Sequence, residues 1–209
     1  MFRVSSLTFA AIVSMAVAPS QAANIAQNQV GTELAGAENY YLGQSFTVEG
    51  TGSFTNVAAS FYTGYGASIP YADGELFLYS SAYTGKFSQL GSGTGFLGSA
   101  VGSGSAYNFG PVLALNGGMQ YFAYMNTKNP SAQYTGGNPY SGGETFQADS
   151  SSGFNFYAIP SVDLRFGVSG SSAAIAAVPE PASWAMLLVG FGAVGGAMRV
   201  RRQTAVRYA

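Results

Sequence analysis

The sequence predicts an all-β protein: an antiparallel β-sandwich over residues 23–168, flanked by a cleavable N-terminal signal helix and a single C-terminal transmembrane helix. Three observations lead there. Apolar side chains in the middle of the chain alternate at period two, the pattern of strands with one buried face. Turn chemistry punctuates them, at Asp73-Gly74, Asn116-Gly117-Gly118, Gly136-Gly137-Asn138-Pro139 and Ser141-Gly142-Gly143. Basic residues collect at the two ends. Only Lys86, Lys128 and Arg165 lie between positions 23 and 178, against eight acidic residues, so that region carries a net charge of −5.

Residues 1–22 have the grammar of a secretory signal peptide. Arg3 supplies the basic start, residues 4–18 the apolar stretch and Pro19 the break. Small residues at Ser20 and Ala22 predict cleavage between Ala22 and Ala23. The strands follow. Tyr40, Leu42, Phe46 and Val48 alternate with Tyr41, Gly43, Ser45 and Thr47. Val57, Ala59 and Phe61 alternate with Ala58, Ser60 and Tyr62, and Leu76 and Leu78 with Glu75, Phe77 and Tyr79. Residues 120–125 form an aromatic strand, and Val162, Leu164, Phe166 and Val168 alternate with Asp163, Arg165 and Gly167. Many short strands between Gly-rich turns argue for a sandwich or barrel. Residues 169–178 are small and predict a linker.

The apolar run 182–198 is followed by Arg199, Arg201 and Arg202, with 203–209 as a cytoplasmic tail. As a helix the run measures roughly 26 Å at a 1.5 Å rise per residue, slightly short of a hydrocarbon core of about 30 Å. Trp184 falls where an indole favours the interface, and the arginines where cytoplasmic charge belongs.

Composition excludes several functions. With no Cys and no His there is no disulfide framework, no Cys/His zinc site and no Ser-His-Asp triad. Charged residues are 8% of the chain, which argues against a nucleic-acid partner. No metal or cofactor is expected. Asp73 and Glu75, two apart, would share one face of a strand. Such a pair suits acid–base glycoside hydrolysis, calcium binding or two solvated acids beside a turn. Glu144 and Asp149 are open to the same readings.

The aromatic residues are the richest signal. Residues 23–178 hold 13 Tyr and 12 Phe. Burying one ring removes ~150–250 Å² from water, worth about 4–6 kcal/mol before entropy is subtracted. A core accounts for most of them. Neighbours such as Tyr40/Tyr41, Phe61/Tyr62 and Tyr121/Phe122 nevertheless point to opposite faces of a strand. Some rings are therefore exposed or covered by loops. Tyr41, Tyr62 and Tyr140 are the candidate positions for stacking on a ligand.

Pro179-Glu180-Pro181-Ala182-Ser183-Trp184-Ala185, the apolar helix and the Arg cluster resemble, in that order, a PEP-CTERM sorting signal of the PEPxxWA type. The resemblance covers residues 179–202. It implies a Gram-negative host and an exosortase-type membrane enzyme that cuts near Pro179-Glu180-Pro181. It also implies an inner-membrane intermediate and delivery to the cell surface or beyond. A permanent single-pass anchor is the alternative. The order of strands and turns is similar to a jelly-roll-like β-sandwich of exported bacterial proteins. The carrying segments are Gly43-Gln44-Ser45-Phe46-Thr47, Gly74-Glu75-Leu76-Phe77-Leu78-Tyr79, Leu113-Ala114-Leu115-Asn116-Gly117-Gly118 and Asp163-Leu164-Arg165-Phe166. The expected function is a non-enzymatic surface or matrix protein of the exopolysaccharide layer, structural or adhesive. Its alternatives are a specific carbohydrate-binding module and a secreted carboxylate-dependent hydrolase.

Overall fold

The computed structural model describes residues 21–31, 33–34, 40–63, 69–128, 132–172 and 181–205. Residues 1–20 of the expected signal peptide 1–22, most of the expected linker, Pro179, Glu180 and residues 206–209 lie outside the described residues. In chain order the strands are β1 (Ala22–Asn28), β2 (Glu33–Leu34), β3 (Tyr41–Thr47), β4 (Ser53–Thr63), β5 (Ile69–Tyr71), β6 (Glu75–Tyr79), β7 (Phe96–Ser103) and β8 (Ala106–Asn108). After them come β9 (Leu115–Asn116), β10 (Gln120–Met125), β11 (Gln133–Gly136), β12 (Thr145–Ala148), β13 (Tyr157–Ile159), β14 (Val162–Leu164) and β15 (Phe166–Ser172). A separate unit carries one helix, α1 (Pro181–Ala205).

The chain is mostly antiparallel β, as expected, but not as two separate sheets. Twelve strands form one sheet, in the order β1-β15-β4-β8-β7-β6-β10-β3-β12-β13, with β5 and β9 added to β4. β7 joins the halves, pairing β6 along Phe96–Val101 and β8 through Gly102 and Ser103. The sheet curls there, where the strand is rich in glycine and serine. A second sheet of three short strands runs β14-β11-β2.

The period-two pattern sorts side chains to two cores. Leu42, Phe46, Phe54, Val57, Phe61, Leu76, Leu78, Tyr121, Phe166 and Val168 meet in the larger one. Apart from Gln120 at the start of β10, the alternate residues of β3, β6, β10 and β12 are buried or half-buried. Tyr41, Phe77, Tyr79, Tyr124 and Phe146 form a second, aromatic core with Phe156. Tyr83, Phe87 and Phe154 pack against it from the connecting segments, and Phe96 from the start of β7. Gly43 makes the room: a Cβ there would lie 2.6 Å from Cδ1 of Tyr124. Both faces of that half of the sheet are thus covered, which accounts for its adjacent aromatic pairs.

One expected boundary and one expected orientation change. Residues 169–172 are strand, not linker, since β15 continues to Ser172 and pairs both β1 and β4. Small side chains are needed there because Gly170 packs close to Phe54 and Ile25. Asp163 does not alternate outward with Arg165 and Gly167. It is fully buried at the end of the larger core, because Gln44 Nε2 and the Tyr140 N–H donate to its two carboxylate oxygens at 3.1 and 2.8 Å.

The helix α1 exposes Met186, Leu187, Leu188, Val189, Phe191, Val194 and Met198, so apolar side chains lie on all its faces. Among the described residues no helix is long and apolar enough to cross a membrane. The expected transmembrane helix is therefore not supported. Gly190, Gly192, Gly195 and Gly196 dilute the apolar run.

Candidate functional site

The outward face of β1, β15, β4 and β8 carries a half-open trough of about 360 Å³. Its floor follows from strand alternation. When Phe166 and Val168 point into the core, Gly167 and Ser169 point out; when Ala59 and Phe61 point in, Ala58, Ser60 and Tyr62 point out. The register places Gly167 across from both Ser60 and Gln27, and Ser169 across from both Ala58 and Asn24. Ala106 of β8 continues the small-residue floor. A residue with no side chain, flanked by Ser and Ala, leaves the sheet surface low. Asn24, Gln27 and Gln29 form one wall.

The polar groups of this trough are loosely engaged within the protein. Asn24 Nδ2 donates to Gln27 Oε1 at 3.4 Å, Gln29 Nε2 to the Phe166 carbonyl at 3.4 Å, and Ser60 Oγ to the Gly167 carbonyl at 3.5 Å. These are long for hydrogen bonds, so exchanging them for bonds to a ligand costs little. Tyr62 stands at one end, half-buried, with the guanidinium carbon of Arg165 4.4 Å from its ring centroid. Arg165 Nη1 donates to Gln133 Oε1 at 3.0 Å, and this holds the cation against the ring.

Of the three tyrosines expected to stack on a ligand, only Tyr62 lines the trough. Tyr41 is 8% exposed, and its ring stacks on Phe87 at 3.8 Å between centroids and 10° between planes. That face is closed to a ligand because the residue falls on the aromatic-core side of β3. Tyr140 sits edge-on against Phe166 at 5.1 Å. Its hydroxyl donates to the Thr47 carbonyl at 3.3 Å and accepts from the Thr47 N–H at 3.1 Å. Burial pushes its phenol up from the ordinary value, as expected of a structural tyrosine. The Asn and Gln residues of the wall went unrecognised in the sequence. Their signal was the amide-rich run Asn24, Gln27, Asn28, Gln29 directly after the expected cleavage position.

The carboxylates are scattered. Asp73 and Glu75 do not share a strand face, since Asp73 precedes β6 and Gly74 breaks the extension with φ +67°. The Asp73 carbonyl instead accepts from the hydroxyls of Tyr107 at 2.6 Å and Thr127 at 2.7 Å. The Glu144 N–H donates to Ser45 Oγ at 2.8 Å. Asp149 organises its own loop. Its carboxylate accepts from Ser151 Oγ at 2.6 Å, the Ser152 N–H at 3.0 Å, Gln147 Nε2 at 2.8 Å and the Tyr157 hydroxyl at 2.8 Å. The bond from Ser151 does most to hold this carboxyl below the ordinary range. Asp163 is shifted the other way, pushed up by burial. Among the described residues no three metal-ligating acidic side chains come together.

At the two ends, Ala22 and Ala23 are the first residues of β1, paired with Ser171 and Gly170. Ala185 and Arg199 are exposed on α1, and Pro181, Trp184, Arg201 and Arg202 belong to the same helix. No curated protein and no solved structure matches the chain. The family model described as the PEP-CTERM protein-sorting motif matches residues 177–202. That span includes the Pro-Glu-Pro triplet, the apolar helix and the basic end. The chain is thus a protein that carries a PEP-CTERM sorting signal at its C-terminus.

Proposed function

We propose that this is an exported cell-surface or extracellular-matrix protein, with a structural or adhesive role in the exopolysaccharide layer and no catalysis of its own. The observation that carries this reading is the match of residues 177–202 to the PEP-CTERM protein-sorting motif. On this reading a signal peptidase cuts between Ala22 and Ala23. The apolar stretch of α1 enters the inner membrane transiently, with Arg199, Arg201 and Arg202 on the cytoplasmic side. An exosortase-type enzyme then cuts near Pro179-Glu180-Pro181.

Physical features favour it. Over residues 186–198 of α1 the large apolar side chains are exposed around the helix, a form that favours a non-aqueous neighbour over water. The β-rich unit has few charges and an outward trough of amides, hydroxyls and a tyrosine, chemistry that engages hydroxylated polymers. A non-catalytic role is favoured by the placement of the acids, because Asp73 and Glu75 diverge and Asp149 is saturated by its own loop. The test is mass spectrometry of the protein from matrix and membrane fractions, with and without the processing enzyme. A matrix form beginning at Ala23 and lacking Arg201-Arg202 is expected. Recovery of the intact tail from the matrix defeats the reading.

A further inference from the structure

We propose that the trough across β1, β15, β4 and β8 is a binding site for a short stretch of neutral polysaccharide, with Tyr62 as its stacking platform. The inference rests on the extracellular reading above and gives it a site and a ligand class.

The chemistry of the lining selects the ligand. Asn24, Gln27 and Gln29 each present a carbonyl acceptor and an amide donor, and Ser60 and Ser169 each present a hydroxyl of both kinds. A ligand that meets such a surface well both donates and accepts at closely spaced positions, as vicinal sugar hydroxyls do. With one face of its ring held by Arg165, Tyr62 offers its other face, at one end of the trough, to the C–H face of a pyranose. Arg165 and Gln133 hold that ring in place, so little side-chain freedom is lost on binding. Among the described residues that line the trough none is acidic or basic, and Arg165 approaches it only through its contact with the Tyr62 ring. The region from 23 to 178 carries net −5, so a polyanionic chain meets long-range repulsion while a neutral one does not. At about 360 Å³ the trough lies at the small end of ligand sites, which run from roughly 300 to 1,000 Å³. It therefore accepts a few sugar units rather than a long helical turn of polymer.

Gly167 offers a test that leaves the fold intact. It lies in β15 with ordinary backbone angles, and a Cβ added there would meet only Ser60 Oγ at 3.6 Å and Gln29 Nε2 at 3.9 Å, ordinary contact distances. Gly167→Ile therefore fills the floor while suiting a strand better than glycine does. The experiment titrates the full 209-residue chain, in mild detergent, with maltohexaose, cellohexaose, laminarihexaose and mannohexaose, and with an alginate hexamer as the anionic probe. At least one neutral hexaose is expected to bind, weakly but saturably. Tyr62→Ala is expected to weaken that binding by about tenfold or more. Gly167→Ile is expected to abolish it, with the melting temperature unchanged or raised.

Three results overturn the proposal: no neutral hexaose binds at about 10 mM, binding survives Gly167→Ile, or alginate binds more tightly than every neutral sugar. Failure here is separable from failure of the export reading. A correctly cut, matrix-located protein with a silent trough removes the site alone. A protein retained uncut in the membrane removes the export reading and leaves the titration result standing.

Discussion

Ala22 lies directly across from Ser171 in the antiparallel pair of β1 and β15, so the chain enters and leaves the curled sheet side by side. The scissile bond expected of the signal peptide follows the first residue of β1. Cleavage there costs a single terminal pair and keeps the register from Ala23 opposite Gly170 onward. β15, between β1 and β4, is also the last strand to be made before the sorting signal. The β-rich unit cannot close until its C-terminal end has been delivered.

The first prediction concerns that closure. A chain starting at Ala23 is expected to match the stability of one that keeps Ala22, because Ala22 is exposed. Ile25 is 2% exposed, and Asn28 Nδ2 donates to the Leu164 carbonyl at 2.9 Å. Ile25→Ala is therefore expected to cost about 2–4 kcal/mol. Urea denaturation monitored by circular dichroism measures both.

Gly43→Ala tests the room needed by the aromatic core. Its Cβ would lie 2.6 Å from Tyr124 and 2.8 Å from the Ala123 carbonyl. Tyr124 is fully buried, and its hydroxyl accepts the Tyr83 N–H at 2.9 Å. The ring has no free direction to move, so a loss of about 1–3 kcal/mol is expected. A neutral effect in the same denaturation assay contradicts that packing.

Phe87 seals the second core from the loop side. It stacks on Tyr41 and meets Phe154 edge-on at 5.7 Å. Phe87→Ala is expected to cost about 1–2 kcal/mol, since the ring is only partly buried. The more telling readout is local. Amide exchange is expected to quicken in residues 83–91 while β4 and β15 stay protected.

Asp149 and Asp163 make opposite contributions to pH dependence. The Asp149 carboxyl is held below its ordinary 3.8, so its stabilisation is complete above that value and is lost as pH falls through the lower folded value. Asp163 is raised above 3.8, so its contribution is greatest in acid and is lost as pH rises through the higher folded value. Asp149→Asn is expected to flatten the fall in stability below about pH 4. Asp149→Ala is expected to cost about 2–3 kcal/mol near neutrality, because the loop loses a charged acceptor shared by four donors. Thermal melts across pH 2–8 read both effects.

Strand positions were legible because alternation is a property of the backbone. Val57, Ala59 and Phe61 had to share one face once the segment was extended. The fate of the other face was not legible. Tyr41 and Tyr62 look alike in sequence, each the polar-tipped neighbour of a core residue. Tyr41 is covered because the loops around Phe87 and Phe154 fold over β3, whereas Tyr62 faces outward beside a glycine and two serines. That difference depends on where loops distant in sequence return.

The sequence alone determined the C-terminal sorting motif, the all-β character of the middle, and the lack of histidine and cysteine chemistry. Each is local: a motif, a period or a count. Tertiary structure decided the rest. It joined the expected pair of sheets into one curled sheet through β7, carried β15 four residues beyond Val168, and buried Asp163 against Gln44. It also gathered Asn24, Ser60, Tyr62 and Gly167 from three strands into one trough. Strand order and register follow from which apolar faces can be buried together, a balance summed over the whole chain and not written in any one segment.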